Sequence, residues 1–376
     1  MQKETNLKNI NIHIYPSNMT NESRIFKESK FISTNCNFEK IILLGIWKEG
    51  LNKDEQYEGN IHIKRVSLFN IKKRSILYLY YFMYVFVFIV LHRPKMINIH
   101  TLEFLPLSLI AKIFKKKTIY DPRELETEKA NFKGFRKKIS KIIEKTFIGF
   151  VDKVIVVGEA IADEYKKMYP KMNRPFVVLN TPNYKITQKN DLFREKFNID
   201  KEKIIFLYQG AISPSRGVEI LLETFKKTDK VIVFMGYGSL VDKVKEYSLA
   251  YKNIYYHEAV KPEILLNYTS SADVGFCLIE NSCKSYDFCM PNKMFEYLMA
   301  GIPVIATKLF ELKRFVKKNE IGLLIDSYND ISNIIDKINN QVISQYKQNI
   351  ENVKLIYNWE EQEKILKTIY KELNKC

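Results

Sequence analysis

Residues 289–306 read Cys-Met-Pro-Asn-Lys-Met-Phe-Glu-Tyr-Leu-Met-Ala-Gly-Ile-Pro-Val-Ile-Ala. Pro291 suits the first turn of a helix, where its missing N–H would have no partner in any case. Met294, Phe295 and Leu298 follow at helical spacing and give an apolar face. Gly301 supplies the left-handed residue that ends the helix, and Pro303 prevents its continuation. Val304, Ile305 and Ala306 read as a short buried strand. A helix feeding a buried strand is a unit of an α/β layer, and the chain is predicted to be α/β.

The helix start carries the chemistry. Its first N–H groups lack partners inside the helix, and the helix dipole is positive there. Lys293 adds a cation in that first turn, where a cation is disfavoured, and a bound anion such as phosphate would resolve the conflict. Glu296 lies one turn deeper, where a carboxylate can accept hydrogen bonds from both hydroxyls of a ribose. Phosphate at the tip and diol one turn along describe a nucleotide. The same spacing also fits a solvated Lys and Glu on an ordinary core helix.

The run Pro291-Asn292-Lys293-Met294-Phe295-Glu296-Tyr297, with Ala300-Gly301-Ile302-Pro303-Val304, resembles the signature of retaining glycosyltransferases of family 4 (glycosyl transferases group 1). The resemblance implies the GT-B fold: two Rossmann-like doubly wound domains facing a cleft, with a C-terminal helix crossing back to the first. It places an N-terminal acceptor-binding domain at 1–182, a nucleotide-sugar-binding domain at 183–356 and the returning helix at 357–376.

Composition sets outer bounds. A chain of 376 residues accommodates two domains, and 46% hydrophobic with 27% charged residues fits a globular protein. The net charge of +17 favours anionic partners. Lys and Arg are spread along the chain and no nucleic-acid module is visible, so anionic membrane and phosphorylated ligands are the expected partners, not nucleic acid. Five cysteines, an odd number in a long chain, argue against a disulfide framework, and reduced thiols in a cytoplasmic protein are expected. Residues 1–9 are polar, and no signal peptide is read there.

In the first half, strands are expected at 11–15, 40–46, 61–68, 96–100, 118–121 and 151–157, and helices from about 22 and at 107–115, 134–147 and 159–169. Arg24, near the first helix start, faces either an anionic group or solvent. The stretch 75–91, SILYLYYFMYVFVFIVL, has no charge and basic flanks. It falls just short of the ~20 residues that span a bilayer. Core helix, spanning helix and interfacial helix compete. A helix apolar all round needs cover on every side, which favours the membrane interface. Tyr120-Asp121-Pro122-Arg123-Glu124-Leu125 follows a strand, where ligands of open α/β sheets sit. It resembles the family's Tyr-Asp-x-His-Glu-Leu pattern with Arg123 in place of His, so Arg123 is expected in the active site, against the alternative of an ion pair with Glu124 or Glu126.

Residues 181–190 read as a linker. The strand at 204–209, the loop Gly210-Ala-Ile-Ser-Pro-Ser-Arg216-Gly217 and the helix from 218 form a phosphate-cradling geometry. The loop resembles the family's Gly-Arg-x-x-x-x-Lys-Gly motif, with Ala211 for Arg and Arg216 for Lys. Gly236 ends a second strand of this kind at 231–235, and the resemblance puts the backbone of Val260 beside the nucleobase. Position 288, where the family often has Glu, is Phe. The implied donor-binding residues are Gly210, Arg216, Gly236, Val260, Pro291, Asn292, Lys293 and Glu296, and the implied catalytic residues are Arg123, Arg216, Lys293 and Glu296.

Breaking a sugar–diphosphate bond builds negative charge on the leaving phosphate, so positive groups must be preorganised there. Arg216, Lys293 and two helix N-termini supply them. No Asp-x-Asp stands at a strand end, so no metal is expected, and no cofactor beyond the donor. The reading is a retaining transfer from a nucleotide sugar, expected to be UDP-linked, to a lipid-linked surface glycan such as capsule, O-antigen or lipopolysaccharide. The protein is expected at the inner face of the cytoplasmic membrane as a peripheral protein of bacterial type. A nucleotide-binding scaffold without transfer activity and a nucleotide-sugar epimerase are the rival readings.

Overall fold

The computed structural model describes residues 9–67 and 74–373. It divides into two compact units. The first takes the described residues up to Val178 and those from Glu363 onward; the second is Leu179–Gln362.

Among the described residues the first unit holds β1 (Ile10–Ile14), β2 (Lys40–Ile46), β3 (Asp54–Glu58), β4 (Ile61–Val66), β5 (Met96–Ile99), β6 (Lys117–Tyr120), β7 (Lys153–Val156) and β8 (Phe176–Val177). Their order in the sheet is β3-β4-β2-β1-β5-β6-β7-β8. Every pairing is parallel except β3 with β4. The second unit holds β9 (Ile205–Ala211), β10 (Val231–Tyr237), β11 (Ile254–Glu258), β12 (Val274–Cys277), β13 (Val304–Thr307) and β14 (Gly322–Ile325), in the parallel order β11-β10-β9-β12-β13-β14. Strands covered on both faces read as continuous apolar runs, and β1, β5, β12 and β13 are buried along their whole length. Edge strand β3, Asp-Glu-Gln-Tyr-Glu, is mostly exposed and carries no apolar alternation, which is why the sequence did not announce it.

The helix of the opening stretch spans Asn292–Met299. Pro291 sits one position earlier than expected, as the extended residue that caps the helix rather than as its first helical residue. Gly301 adopts φ +77°, the left-handed conformation required to leave the helix. Tyr297 lies flat on β12, where a Cβ on Gly275 would stand 2.6 Å from its ring. Its hydroxyl reaches Phe276 O (3.1 Å) and accepts from Gln209 N (3.0 Å). These contacts fix the helix against β9 and β12 together.

The apolar stretch forms the helix Arg74–His92. One face is core: Tyr81, Val85, Phe88 and Ile89 are buried, and the Tyr81 hydroxyl donates to Leu44 O at 2.6 Å. The other face exposes Ile76, Leu79, Tyr80, Met83, Val87 and Leu91. Cover on every side is therefore not what the helix has; it has cover on one. Among the described residues no helix is long and apolar enough to cross a membrane.

The helices Leu192–Phe197, beside the expected linker, Lys284–Asp287 and Phe310–Asn319 went unread in the sequence. The final helix, Trp359–Glu372, is divided between the units, and its Tyr370 hydroxyl donates to Asn98 Oδ1 in the first unit at 3.2 Å. Cys277, Cys283 and Cys289 are thiols, but Cys36 is disulfide-bonded, so the expectation of reduced cysteines holds for those three only. An odd count argues against a framework of bridges, not against one bridge.

Candidate functional site

In the second unit β9 delivers the chain into the loop at Gly210, whose φ of +107° turns the backbone beneath the Asn292–Met299 helix. A Cβ on Gly210 would come within 3.7 Å of Lys293 Cε. Gly236 is the β10 register partner of Gly210, and a Cβ there would stand 1.8 Å from Gly210 O. Only glycine permits that approach, so the strand ends lie close together below the loop. Gly217 adopts φ +76° as the loop closes onto the helix Val218–Phe225.

Three charged side chains gather over this floor. Lys293 Nζ lies 4.2 Å from the centre of the Tyr208 ring, and Arg216 Cζ lies 5.1 Å from that of Tyr286. Burial pushes the Lys293 ammonium down to about 8, helped by the Arg216 charge and opposed by Cys277 and Glu296. The Cys277 thiol is pushed up to about 11 by burial. Glu296 accepts from Gln209 Nε2, and Gln209 Oε1 accepts from Thr269 Oγ1 at 2.7 Å.

The structure thus brings together Gly210, Gly236, Arg216, Lys293 and Glu296. Asn292 is exposed at the helix start beside Pro291 and accepts from Asn180 Nδ2 at 3.0 Å. Val260 follows β11, two strands from β9, and packs partly buried against the apolar core. Gln209, Thr269, Tyr208 and Tyr286 were not picked out from the sequence. Gln209 had a signal, being the one amide in the apolar run 204–209.

Arg123 belongs to the first unit, in a cavity of about 810 Å³ with Tyr15, Glu22, His100, Lys129 and Arg136. It pairs with Glu22, not with Glu124 or Glu126, and stacks 4.1 Å over the Tyr15 ring. Its Nε and Nη2 are buried without hydrogen-bond partners. Behind the cavity lies a buried cluster from several elements. Arg24 grips Asp121 with two hydrogen bonds, 2.9 and 2.8 Å, and also meets Glu28 at 3.0 Å. Of the two expectations for Arg24, the anionic partner is the one realised. His100 Nδ1 lies 3.0 Å from Asp121 and its Nε2 2.9 Å from His13 Nδ1.

Burial alone would raise the Asp121 carboxyl, but Arg24 and His100 outweigh it and hold the group well below the usual range. Glu28 is pushed up, first by burial and then by the Asp121 charge. Burial keeps His13 and His100 below the ordinary histidine value. Ligand atoms of His13, Glu28 and His100 fall within 4.8 Å of one another, the spread of a small metal site. The Arg24 guanidinium already occupies the cation's place against Glu28, so the donor set does not fit a dication.

Residues 216–358 match the family described as "Glucosyltransferase 3-like, C-terminal domain". That match lies wholly within the second unit. A curated relative, "Putative glycosyltransferase YtcC" of Bacillus subtilis (strain 168), is 24% identical over 201 residues, 48% of each chain. The chain thus spans about half the length of that relative. Sucrose-phosphate synthase from Thermosynechococcus elongatus aligns with a TM-score of 0.79 at 16% identity, covering 97% of this chain and 98% of that one. Anabaena Alr3699/HepE in complex with UDP and glucose aligns with a TM-score of 0.73 at 13% identity, covering 98% and 99%. WaaG, described as a glycosyltransferase involved in lipopolysaccharide biosynthesis, aligns with a TM-score of 0.64 at 11% identity, covering 96% and 99%. The fold is that of the GT-B glycosyltransferases.

Proposed function

We propose that the chain transfers a sugar from a UDP-linked donor to a lipid-linked surface glycan, of the capsule, O-antigen or lipopolysaccharide type, with retention of anomeric configuration. One observation carries the donor half: Glu296, held by Gln209, stands one turn inside a helix whose start holds Lys293 over the Gly210 loop. Glu296 takes the ribose hydroxyls. Arg216, Lys293 and the N-termini of the Val218–Phe225 and Asn292–Met299 helices receive the diphosphate and its growing charge, without a metal ion. The neighbour crystallised with UDP and glucose supports a nucleotide-sugar donor.

Arg123 works on the acceptor side, where its buried unpartnered N–H groups suit an anionic substituent after a small shift. The exposed apolar face of the Arg74–His92 helix supports peripheral attachment to the inner face of the cytoplasmic membrane. The test is UDP release from a panel of UDP-sugars with and without lipid-linked acceptor. Acceptor-dependent release supports transfer. Conversion of the donor without acceptor supports an epimerase, and binding without turnover supports a scaffold.

A further inference from the structure

A second cavity of the first unit, about 920 Å³, is larger than the one holding Arg123. Asp152, Lys153 and Val154 line it at the start of β7, and Phe176 at the start of β8. His100 and Arg123 instead follow the ends of β5 and β6. Open α/β sheets bind substrate beyond the carboxyl ends of their strands, so this cavity stands apart from the site described above.

Its chemistry is two-sided. Ile148 and Val154 are buried in its wall, with Val151, Met168 and Phe176 half-buried beside them. Four cations, Lys145, Lys153, Lys171 and Arg174, face two carboxylates, Asp152 and Glu372. Both carboxylates are engaged: Glu372 by Lys153, and Asp152 by Lys117 at 3.1 Å and Thr118 N at 2.8 Å. Arg174 is held by Glu159 and Asp163. Among the described residues Lys145 and Lys171 have no ion-pair partner, and both are exposed. Apolar walls with two unmatched ammonium groups complement an amphiphile with an anionic head.

The helix that carries Lys145 favours a lipid as that amphiphile. Along Gly134–Phe147, Phe135, Ile139 and Ile142 are 78%, 39% and 64% exposed, an outward stripe at helical spacing, and Lys145 flanks its end, three residues on from Ile142. The same helix exposes Arg136, Lys138 and Lys141. A basic helix with outward apolar residues lies in the plane of an anionic membrane surface, which brings the mouth of the cavity to the headgroups.

We propose that this cavity binds one anionic phospholipid, with its phosphate at Lys145 and Lys171 and its acyl-bearing glycerol against Ile148, Met168 and Phe176. The inference rests on the membrane part of the proposed function and not on the transfer reaction. The test titrates the full chain by calorimetry with monomeric dihexanoyl phosphatidylglycerol, dihexanoyl phosphatidylcholine or glycerol 3-phosphate. Saturable phosphatidylglycerol binding is expected, about tenfold or more tighter than the other two, and about tenfold weaker in the Lys145→Glu, Lys171→Glu double variant. UDP affinity and thermal melting of that variant should stay at wild-type values. If the pair does not fold, Lys171→Ala, on an exposed loop, must still weaken binding. Phosphatidylcholine bound equally well, no saturation, or variants that bind like wild type would overturn the proposal. Glycerol 3-phosphate bound as tightly as the lipid would also overturn it, in favour of a soluble phosphate. UDP binding read on the same samples separates failure here from failure of the transferase reading.

Discussion

The side-chain amide of Gln209 donates to Glu296, and its Oε1 lies 2.7 Å from the Thr269 hydroxyl, which also reaches Leu265 O at 2.8 Å. Gln209 is 2% exposed at the end of β9. The carboxylate orientation is therefore set from the sheet before any ligand arrives, and a preorganised group spends less of its binding energy on ordering.

Gln209→Leu keeps the volume and removes the donor. Thr269 keeps Leu265 O at 2.8 Å but both it and Glu296 lose the contact with the amide, so stability should drop by ~1–3 kcal/mol in a denaturant melt. UDP affinity should drop about tenfold with the released carboxylate. Stability loss with unchanged UDP affinity, measured on the folded fraction, would show that the amide braces the fold and not the ligand.

Lys293 links donor binding to pH. Its ammonium titrates at about 8 in the folded protein, and a diphosphate favours the charged form. UDP should therefore bind well below that pH and progressively worse above it, with proton uptake on binding near the midpoint. Calorimetry in buffers of different ionisation enthalpy measures that uptake. The unfolded chain holds the lysine proton up to ~10.4. The stability penalty of Lys293 is thus full below its folded pKa and relieved as pH rises toward the unfolded value. Lys293→Met should bind UDP more weakly at pH 7 yet melt higher. A wild-type affinity flat from pH 7 to 9.5 contradicts this account.

Glu28 gives the first unit a stability slope of its own. Its carboxyl is raised by burial and by Asp121, so between its ordinary value of ~4.3 and its folded value the native state holds the extra proton. Stability then falls as pH rises through that window. His13 and His100, lowered by burial, act oppositely: their contribution is lost as pH falls through ~6.5 and below. Glu28→Gln removes only the first effect. Its melting temperature should exceed wild type by a margin that widens from pH 5 to 7. A constant margin would place the shift elsewhere.

The membrane prediction moves with the geometry. Phe82 and Phe86, within the aromatic run, are half-buried, and Phe82 lies 6.0 Å from the Phe104 ring, so charging them would damage the core. Leu79 and Met83 are 63% and 49% exposed on the opposite face. Leu79→Glu with Met83→Glu should abolish sedimentation with anionic vesicles while sparing UDP binding and the melt. Wild type that never sediments rules out attachment by this helix.

Local signals carried most of the fold. The strand β2 and the helix Gly134–Phe147 were read to the residue, because apolar period and punctuation coincide there. The gathering of Arg216, Lys293 and Glu296 was also legible, since Arg216 and Lys293 sit at helix starts, and Glu296 one turn inside the second, which strand–loop–helix units bring to one sheet end. What escaped was contact at long range. Glu22 is 101 residues from Arg123 in sequence, and Gln209 is 87 from Glu296. The cluster of His13, Arg24, Glu28, His100 and Asp121 draws one or two residues from each of four separate segments, so no window contains its pattern. β3 was hidden because an exposed edge strand needs no apolar alternation.

The central claim is that Glu296 receives a nucleotide, and its most direct test is UDP titrated into wild type and Glu296→Gln by calorimetry. The substitution keeps the shape and removes the charged acceptor. Hydrogen bonds to a charged group contribute ~1.5–3 kcal/mol, so the variant should bind UDP about ten- to a hundredfold more weakly with an unchanged melt. Equal UDP affinity in the two proteins, or no UDP binding by wild type, would contradict the account.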